Sequence, residues 1–145
     1  MNQAIPTRVT RKSAAAGPRR ALVTGASGGI GEAIARQLAA EGCAVLVHAS
    51  GRPERAGEIA ESIRGAGGQA EAIVFDVTDR AACERELGRA LQAAPVQVIV
   101  HNAGIHDDGV FAGMRAEQWQ RVIDVNLNGF FNVTQPLLLP LLRTR

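Results

Sequence analysis

Tyrosine is missing from the 145-residue sequence, and lysine occurs once, at Lys12. No phenol is therefore available as a proton donor, and a phosphate loop of the Gly-Lys-Ser/Thr kind cannot form. Aromatic side chains are limited to four Phe and one Trp, so any core has to be assembled from Ala, Val, Leu and Ile. The only cysteines, Cys43 and Cys83, make no CxxC pair and stand in apolar surroundings, as free buried thiols do. Nothing in them calls for an oxidising compartment, and a cytoplasmic location is expected. The most apolar stretch, Leu127–Leu142, is interrupted by Asn128, Asn132, Gln135, Pro136 and Pro140. It falls short of the roughly 20 residues of a membrane span, so no membrane partner is expected. His101, His106, Asp107 and Asp108 lack a recognised ligand spacing, and no metal site is expected from them.

Acidic residues are missing before Glu32, whereas residues 1–31 hold Arg8, Arg11, Lys12, Arg19 and Arg20. The formal net charge of +2 thus hides a basic leader on a mildly acidic remainder. A leader of Thr, Ser, Ala, Gly and Pro offers too little apolar area to offset its ordering entropy, so residues 1–19 are expected to be a disordered basic tail. Its Arg-rich composition is shared by organelle transit peptides and nucleic-acid arms, but no nucleic-acid partner is expected. An apolar core segment is absent from it, which argues against a secretory signal.

The full sequence is 46% apolar and 21% charged, the balance of one α/β domain. Apolar runs at Arg20–Thr24, Ala44–Val47, Ala70–Phe75 and Val96–Val100 read as buried strands. Between them, Ile30, Ile34 and Leu38, with Ala33 and Ala40 nearby, mark a helix that stops at Gly42. Ala56, Ile59, Ala60 and Ile63 mark a second helix, opened by Pro53 at its first turn. A third is carried by Cys83, Leu87, Ala90 and Leu91, with Thr78 as its expected N-cap and Pro95 as its end. Beyond Glu117, Trp119, Val122, Ile123, Leu127, Phe130 and Phe131 point to further helix, kinked or broken near Pro136 and Pro140. Strict strand-helix alternation implies right-handed crossovers and a parallel sheet covered on both faces.

The first strand runs into Thr24-Gly25-Ala26-Ser27-Gly28-Gly29-Ile30-Gly31, which opens directly into a helix. Glycines let backbone approach a diphosphate closely, and free N–H groups at a helix start favour negative charge. At the first strand-to-helix junction of an α/β chain, this is the signature of a dinucleotide site. Sites selective for NAD carry an Asp or Glu after the second strand to accept from the ribose 2′-hydroxyl. This sequence has His48-Ala49-Ser50-Gly51-Arg52 there. Without a carboxylate to repel a 2′-phosphate, and with Ser50 and Arg52 able to donate to one, NADP(H) is favoured over NAD(H).

These residues resemble the short-chain dehydrogenase/reductase family, whose loop has the form Thr-Gly-x-x-x-Gly-x-Gly, matched by Thr24, Gly25, Gly29 and Gly31. The resemblance continues at Asp76-Val77, which in the family meets the adenine ring, and at Asn102-Ala103-Gly104, which supports the sheet beside the cofactor. Asn126 matches a helix asparagine that helps to hold the family's proton-relay lysine through water. From its residue type alone, Asn126 reads equally as a helix polar group bonded to nearby backbone. The segment from Asn102 to Trp119 is most similar to the 3-oxoacyl-(acyl-carrier-protein) reductases. The resemblance implies a Rossmann-type doubly wound parallel sheet truncated after its fourth strand and the helices that follow. Residues 20–145 would form an incomplete NAD(P)-binding domain, the first half of a typical member, acting in fatty acid biosynthesis on a small-molecule or acyl-carrier-protein-bound substrate.

Family members transfer hydride with the help of a Ser, a Tyr and a Lys four residues after the Tyr. That pair has no counterpart here, so the chain alone is expected to be inactive. Truncation would leave Val96–Val100 at an open edge and the last helix with a bare apolar face, which in the family contributes to subunit association. A marginal, aggregation-prone domain that pairs with a second copy through its C-terminal helix is expected. The competing expectation is a non-catalytic module that binds NADP(H) or a protein partner.

Overall fold

The computed structural model describes residues 17–144, so all but the last three positions of the expected tail lie outside the described residues. Four strands, β1 (Arg20–Val23), β2 (Ala44–Ala49), β3 (Gln69–Val74) and β4 (Val98–Val100), form one parallel sheet in the order β3-β2-β1-β4. Helices α1 (Gly29–Ala40), α2 (Pro53–Gly65) and α3 (Arg80–Ala93) fill the crossovers, and α4 (Ala116–Ile123) and α5 (Gly129–Leu142) follow β4.

Alternation along the central strands sorts the core into two layers. Ala21, Val23, Val45 and Val47 pack with Ala35, Ala39, Ala56 and Ile59 of α1 and α2. Leu22 and Leu46, one residue out of phase, pack with Cys83 and Leu87 of α3 and Val133 and Leu137 of α5. This is the doubly wound architecture that strand-helix alternation implies. Cys43 and Cys83 are free and buried, and burial pushes the Cys83 thiol up to about 11.

The face of α2 is the expected one, with Ala56, Ile59, Ala60 and Ile63 buried. That of α1 is not. Gly31, Ala35 and Ala39 form its buried line, Ile34 and Leu38 flank it, Ala33 and Ala40 are exposed, and Ile30 is 75% exposed. Small residues sit against the sheet because α1 lies close to it, and Ile30 is left to face an open cleft.

Thr78 does not cap α3. Asp79 does, its carboxylate accepting from the Ala82 N–H at 3.0 Å, while Thr78 donates its own N–H and hydroxyl to Asp76, each at 2.8 Å. The expected break near Pro136 and Pro140 is also displaced, because α5 runs through both prolines to Leu142. Buried Val133 and Leu137 hold that helix against α3. The irregularity falls earlier, at Asp124–Asn128, where the chain widens into a π-helical turn between α4 and α5.

Both outer strands are poorly covered. β3 buries only Ile73, and Val98–Val100 of β4 are half-buried at the other edge. Arg20 ties the amino-terminal end of the sheet together, its guanidinium donating to the carbonyls of Ala90 and Ala94 and to Glu71 on β3. Among the described residues no helix is long and apolar enough to cross a membrane.

Candidate functional site

The chain winds outward from β1 to β2 to β3, then returns to the far side of β1 for β4. The order of the strands thus reverses at β1, and the crevice outside the carboxyl ends of β1 and β4 is where open α/β sheets hold ligands. A cleft of about 910 Å³ opens there.

One wall is the loop from β1 to α1. Gly25 turns it with φ +64°, and Gly25, Ser27, Gly28, Gly29, Ile30 and Gly31 all line the cleft. Two of these glycines are demanded by the protein itself. A Cβ on Gly25 would stand 2.9 Å from Ala103 Cα, and one on Gly31 would stand 2.5 Å from Asn102 Nδ2 and 2.6 Å from the Gly25 oxygen. Gly29 differs, because a Cβ there would meet no atom within 4 Å. Among the described residues nothing closes on it, and it faces the open cleft. The Gly28 N–H is taken by the Gly25 oxygen and that of Glu32 by Gly28. Among the described residues, the N–H groups of Gly29, Ile30 and Gly31 have no partner, and no side chain caps the helix. Glu32, in the first turn, is held below the usual carboxylate range by a hydrogen bond from Arg36 and the nearby Arg55. Its charge is thus balanced away from the open helix start.

Beneath this wall lies Thr24, 1% exposed, which does not line the cleft. Its hydroxyl accepts from the N–H groups of Asn102 and Ala103, both at 3.0 Å, and lies 3.3 Å from the Val100 carbonyl. The Asn102 side-chain amide donates to the carbonyls of Thr24 (3.1 Å) and Gly25 (3.0 Å). The loops after β1 and β4 are thereby locked together, and Asn102, Ala103 and Gly104 form the floor.

The turn after β2 brings Ser50 and Arg52 to the rim, and the segment after β3 brings Asp76 and Val77. Arg52 is exposed, and among the described residues its side chain has no hydrogen-bond or ion-pair partner. Asn126 stands apart from the cleft, in the π-helical turn. Its Oδ1 accepts from the Ile105 N–H and its Nδ2 donates to the Ile105 carbonyl, both at 2.9 Å. The amide thus pins the loop after β4 to the turn between α4 and α5.

The pattern of the short chain dehydrogenase family matches residues 19–145. The chain belongs to that family. It is 38% identical over 125 residues to the 3-oxoacyl-(acyl-carrier-protein) reductase FabG of Aggregatibacter actinomycetemcomitans, covering 86% of this chain and 52% of that protein. It is 40% identical over 128 residues to the FabG of Staphylococcus aureus, covering 88% of this chain and 52% of that one. The crystal structure of a 3-oxoacyl-(acyl-carrier-protein) reductase from Agrobacterium tumefaciens, with NADP bound, superposes with a TM-score of 0.80 at 30% identity, covering 88% of this chain and 49% of that one. The chain spans about half the length of the relatives it matches.

Several cleft residues of this dehydrogenase-family chain carried no motif. Glu117, Gln120, Arg121 and Asp124 reach it from α4 and the turn after it. That helix is anchored by Asp107, held below the usual carboxylate range by hydrogen bonds from Gln118, at 3.1 Å, and Arg121. His106 and Asp108 stay in solvent, 3.9 Å apart, and take no part in this anchor. His48, a polar residue inside an apolar strand, belongs with the cleft residues that carried no motif. It lines the cleft from behind the Gly25 turn.

Proposed function

We propose that this chain forms the NADP(H)-binding half of a short-chain oxidoreductase, and that the whole protein reduces a 3-oxoacyl thioester, carried on acyl-carrier protein or as a small molecule, to the 3-hydroxyacyl form. The observation that carries the reading is the start of α1, where three N–H groups lack partners among the described residues beside the bare backbone of Gly29. Such a start stabilises a diphosphate without any cationic side chain. A bound dinucleotide supplies the hydride for such a reduction. Gly25, Ser27, Gly28, Gly29, Ile30 and Gly31 cradle the diphosphate, and Thr24 holds the cradle from below. Asp76 and Val77 border the adenine, while Asn102, Ala103 and Gly104 close the floor. Asn126 fixes the loop through which the floor continues to Ile105.

Selection of NADP(H) over NAD(H) falls to Ser50 and Arg52. Among the described residues Arg52 has no carboxylate partner, and it stands on the rim reached from β2, so a 2′-phosphate gives it a charge-assisted contact that a hydroxyl does not. Arg52→Ala is expected to weaken NADP binding about tenfold while changing NAD binding less than twofold, as read by calorimetry with both nucleotides. Equal loss for the two would remove Arg52 from the 2′-phosphate subsite.

The absence of Tyr, and of any Lys beyond Lys12, favours a second reading for this polypeptide by itself: a module that binds NADP(H) without turnover. Exposed Trp119, Leu127, Phe130, Phe131 and Leu139 on α4, α5 and the turn between them give the whole protein an apolar face for pairing with a second copy.

A further inference from the structure

One buried titratable group has no part in that account. His48 is 1% exposed, and both of its ring nitrogens are engaged. Nε2 lies 2.9 Å from the Phe75 carbonyl, which can only accept, so Nε2 carries a hydrogen. Nδ1 lies 3.1 Å from the Gly25 nitrogen, whose N–H can only donate, so Nδ1 is bare. A single uncharged tautomer satisfies both neighbours. The strand backbone adds a third tie, because the His48 carbonyl accepts from the Ala26 N–H at 2.8 Å. Gly25 is the residue with φ +64° that turns the loop, and its oxygen accepts in turn from Gly28 and Asn102.

We propose that uncharged His48 is a positioning residue of the dinucleotide site: it fixes the Gly25 turn from behind, so that a proton on Nδ1 and a dinucleotide in the cradle exclude one another. The inference rests on the dinucleotide reading given above. Protonation converts the Nδ1 acceptor into a donor aimed at another donor 3.1 Å away. Either the ring or the Gly25 turn must move, and the turn leads directly into the open start of α1.

The surroundings set the direction of the effect. From the loop after β1 the Gly25 N–H faces the ring. From β3 and its extension come Ile73, in register with His48, and Phe75, whose ring centroid is 4.2 Å away. Asp76 is the charged group that acts on it, and favours the protonated form. Burial outweighs the hydrogen bond to the Phe75 carbonyl and the charge of Asp76, and holds the His48 pKa below its ordinary value of 6.5. Because the folded value is depressed, the unfolded chain takes up the proton first. The stability that His48 contributes is therefore complete above about pH 6.5 and is lost as pH falls from there toward the folded midpoint.

The test is NADP⁺ titration of the full 145-residue chain between pH 8 and pH 5, comparing wild type with His48→Asn and His48→Leu. Asn places Oδ1 where Nδ1 stands and does not titrate; Leu removes the acceptor. The 2′-phosphate, with a pKa near 6, titrates against every variant and cancels in the ratio. At pH 8, His48→Leu is expected to bind about tenfold more weakly than wild type. The ratio of wild-type to His48→Asn Kd is expected to climb by up to about tenfold per pH unit below the His48 midpoint. NMR of the imidazole nitrogens in the unsubstituted chain, which has only three histidines, decides the matter even if a variant fails to fold. NADP⁺ should lower the His48 midpoint and leave His101 and His106 in place. An unmoved midpoint, or a His48→Asn profile parallel to wild type, overturns the proposal while binding itself keeps the dinucleotide reading intact. No binding at any pH by folded wild type overturns that reading and this proposal together.

Discussion

Gly31→Ala is expected to cost the fold about 2–3 kcal/mol and to abolish measurable NADP binding. The added methyl would stand 2.5 Å from Asn102 Nδ2, 2.6 Å from the Gly25 oxygen and 2.8 Å from Ala26 Cα. Two of those atoms are backbone of the loop itself. The third belongs to the amide that ties the β1 and β4 loops together, so no flexible side-chain end is available to give way. Against the 5–15 kcal/mol that holds a typical domain, such a loss is large. Gly29→Ala is the matched control, because its methyl would meet nothing within 4 Å. Its stability should stay within about 0.5 kcal/mol of wild type. Its affinity for NADP should still fall tenfold or more, since the methyl occupies the space assigned to the diphosphate. Thermal unfolding and nucleotide titration of the two variants separate the roles. A Gly31→Ala protein as stable as wild type, or a Gly29→Ala protein that binds NADP normally, would contradict them.

The 145-residue polypeptide mixed with NADPH and a 3-oxoacyl thioester is expected to show no oxidation of NADPH above the protein-free rate. Reduction of a ketone needs a proton at the oxygen as hydride reaches the carbon. A positioned acid typically contributes ~10²–10⁴-fold. No tyrosine exists in the chain, and its one lysine, Lys12, lies outside the described residues. The histidines are unsuited to the task. His48 has both ring nitrogens occupied by backbone, and His101 is bonded to Thr134 with its ring against Phe130. His106 is in solvent on the loop after β4. Turnover of about 1 s⁻¹ or faster, the range of ordinary enzymes, would show that another group supplies the proton.

The glycine loop was legible in the sequence because its motif is contiguous and runs directly into a helix, whereas the closeness of Gly25 and Gly31 to Asn102 and Ala103, more than 70 residues away, was not. The buried stripe of α2 was legible for the same reason, since Ala56, Ile59, Ala60 and Ile63 repeat at helical spacing. In α1 the larger apolar residues pointed to the wrong line. Periodicity cannot tell that small residues lie against the sheet while Ile30 faces a cleft. Thr78 and Asp79 are adjacent capping residues, and what separates them is the Asp76 carboxylate, which occupies the Thr78 hydroxyl. The prolines of α5 suggested a break, but burial of Val133 and Leu137 keeps the helix together, and the distortion appears where Asn126 reaches Ile105. His48 stands out in the sequence as a polar residue in an apolar strand, but its role is not legible there. Its partners, Gly25 and Phe75, are 23 and 27 residues away.

Calorimetric titration of the folded chain with NADP⁺ at pH 8 tests the central claim most directly. Saturable 1:1 binding at sub-millimolar concentration, weakened by Gly29→Ala without loss of folding, is the result expected of an open helix start that holds a diphosphate. No heat of binding with millimolar NADP⁺ or NAD⁺, from protein shown to be folded, would contradict it.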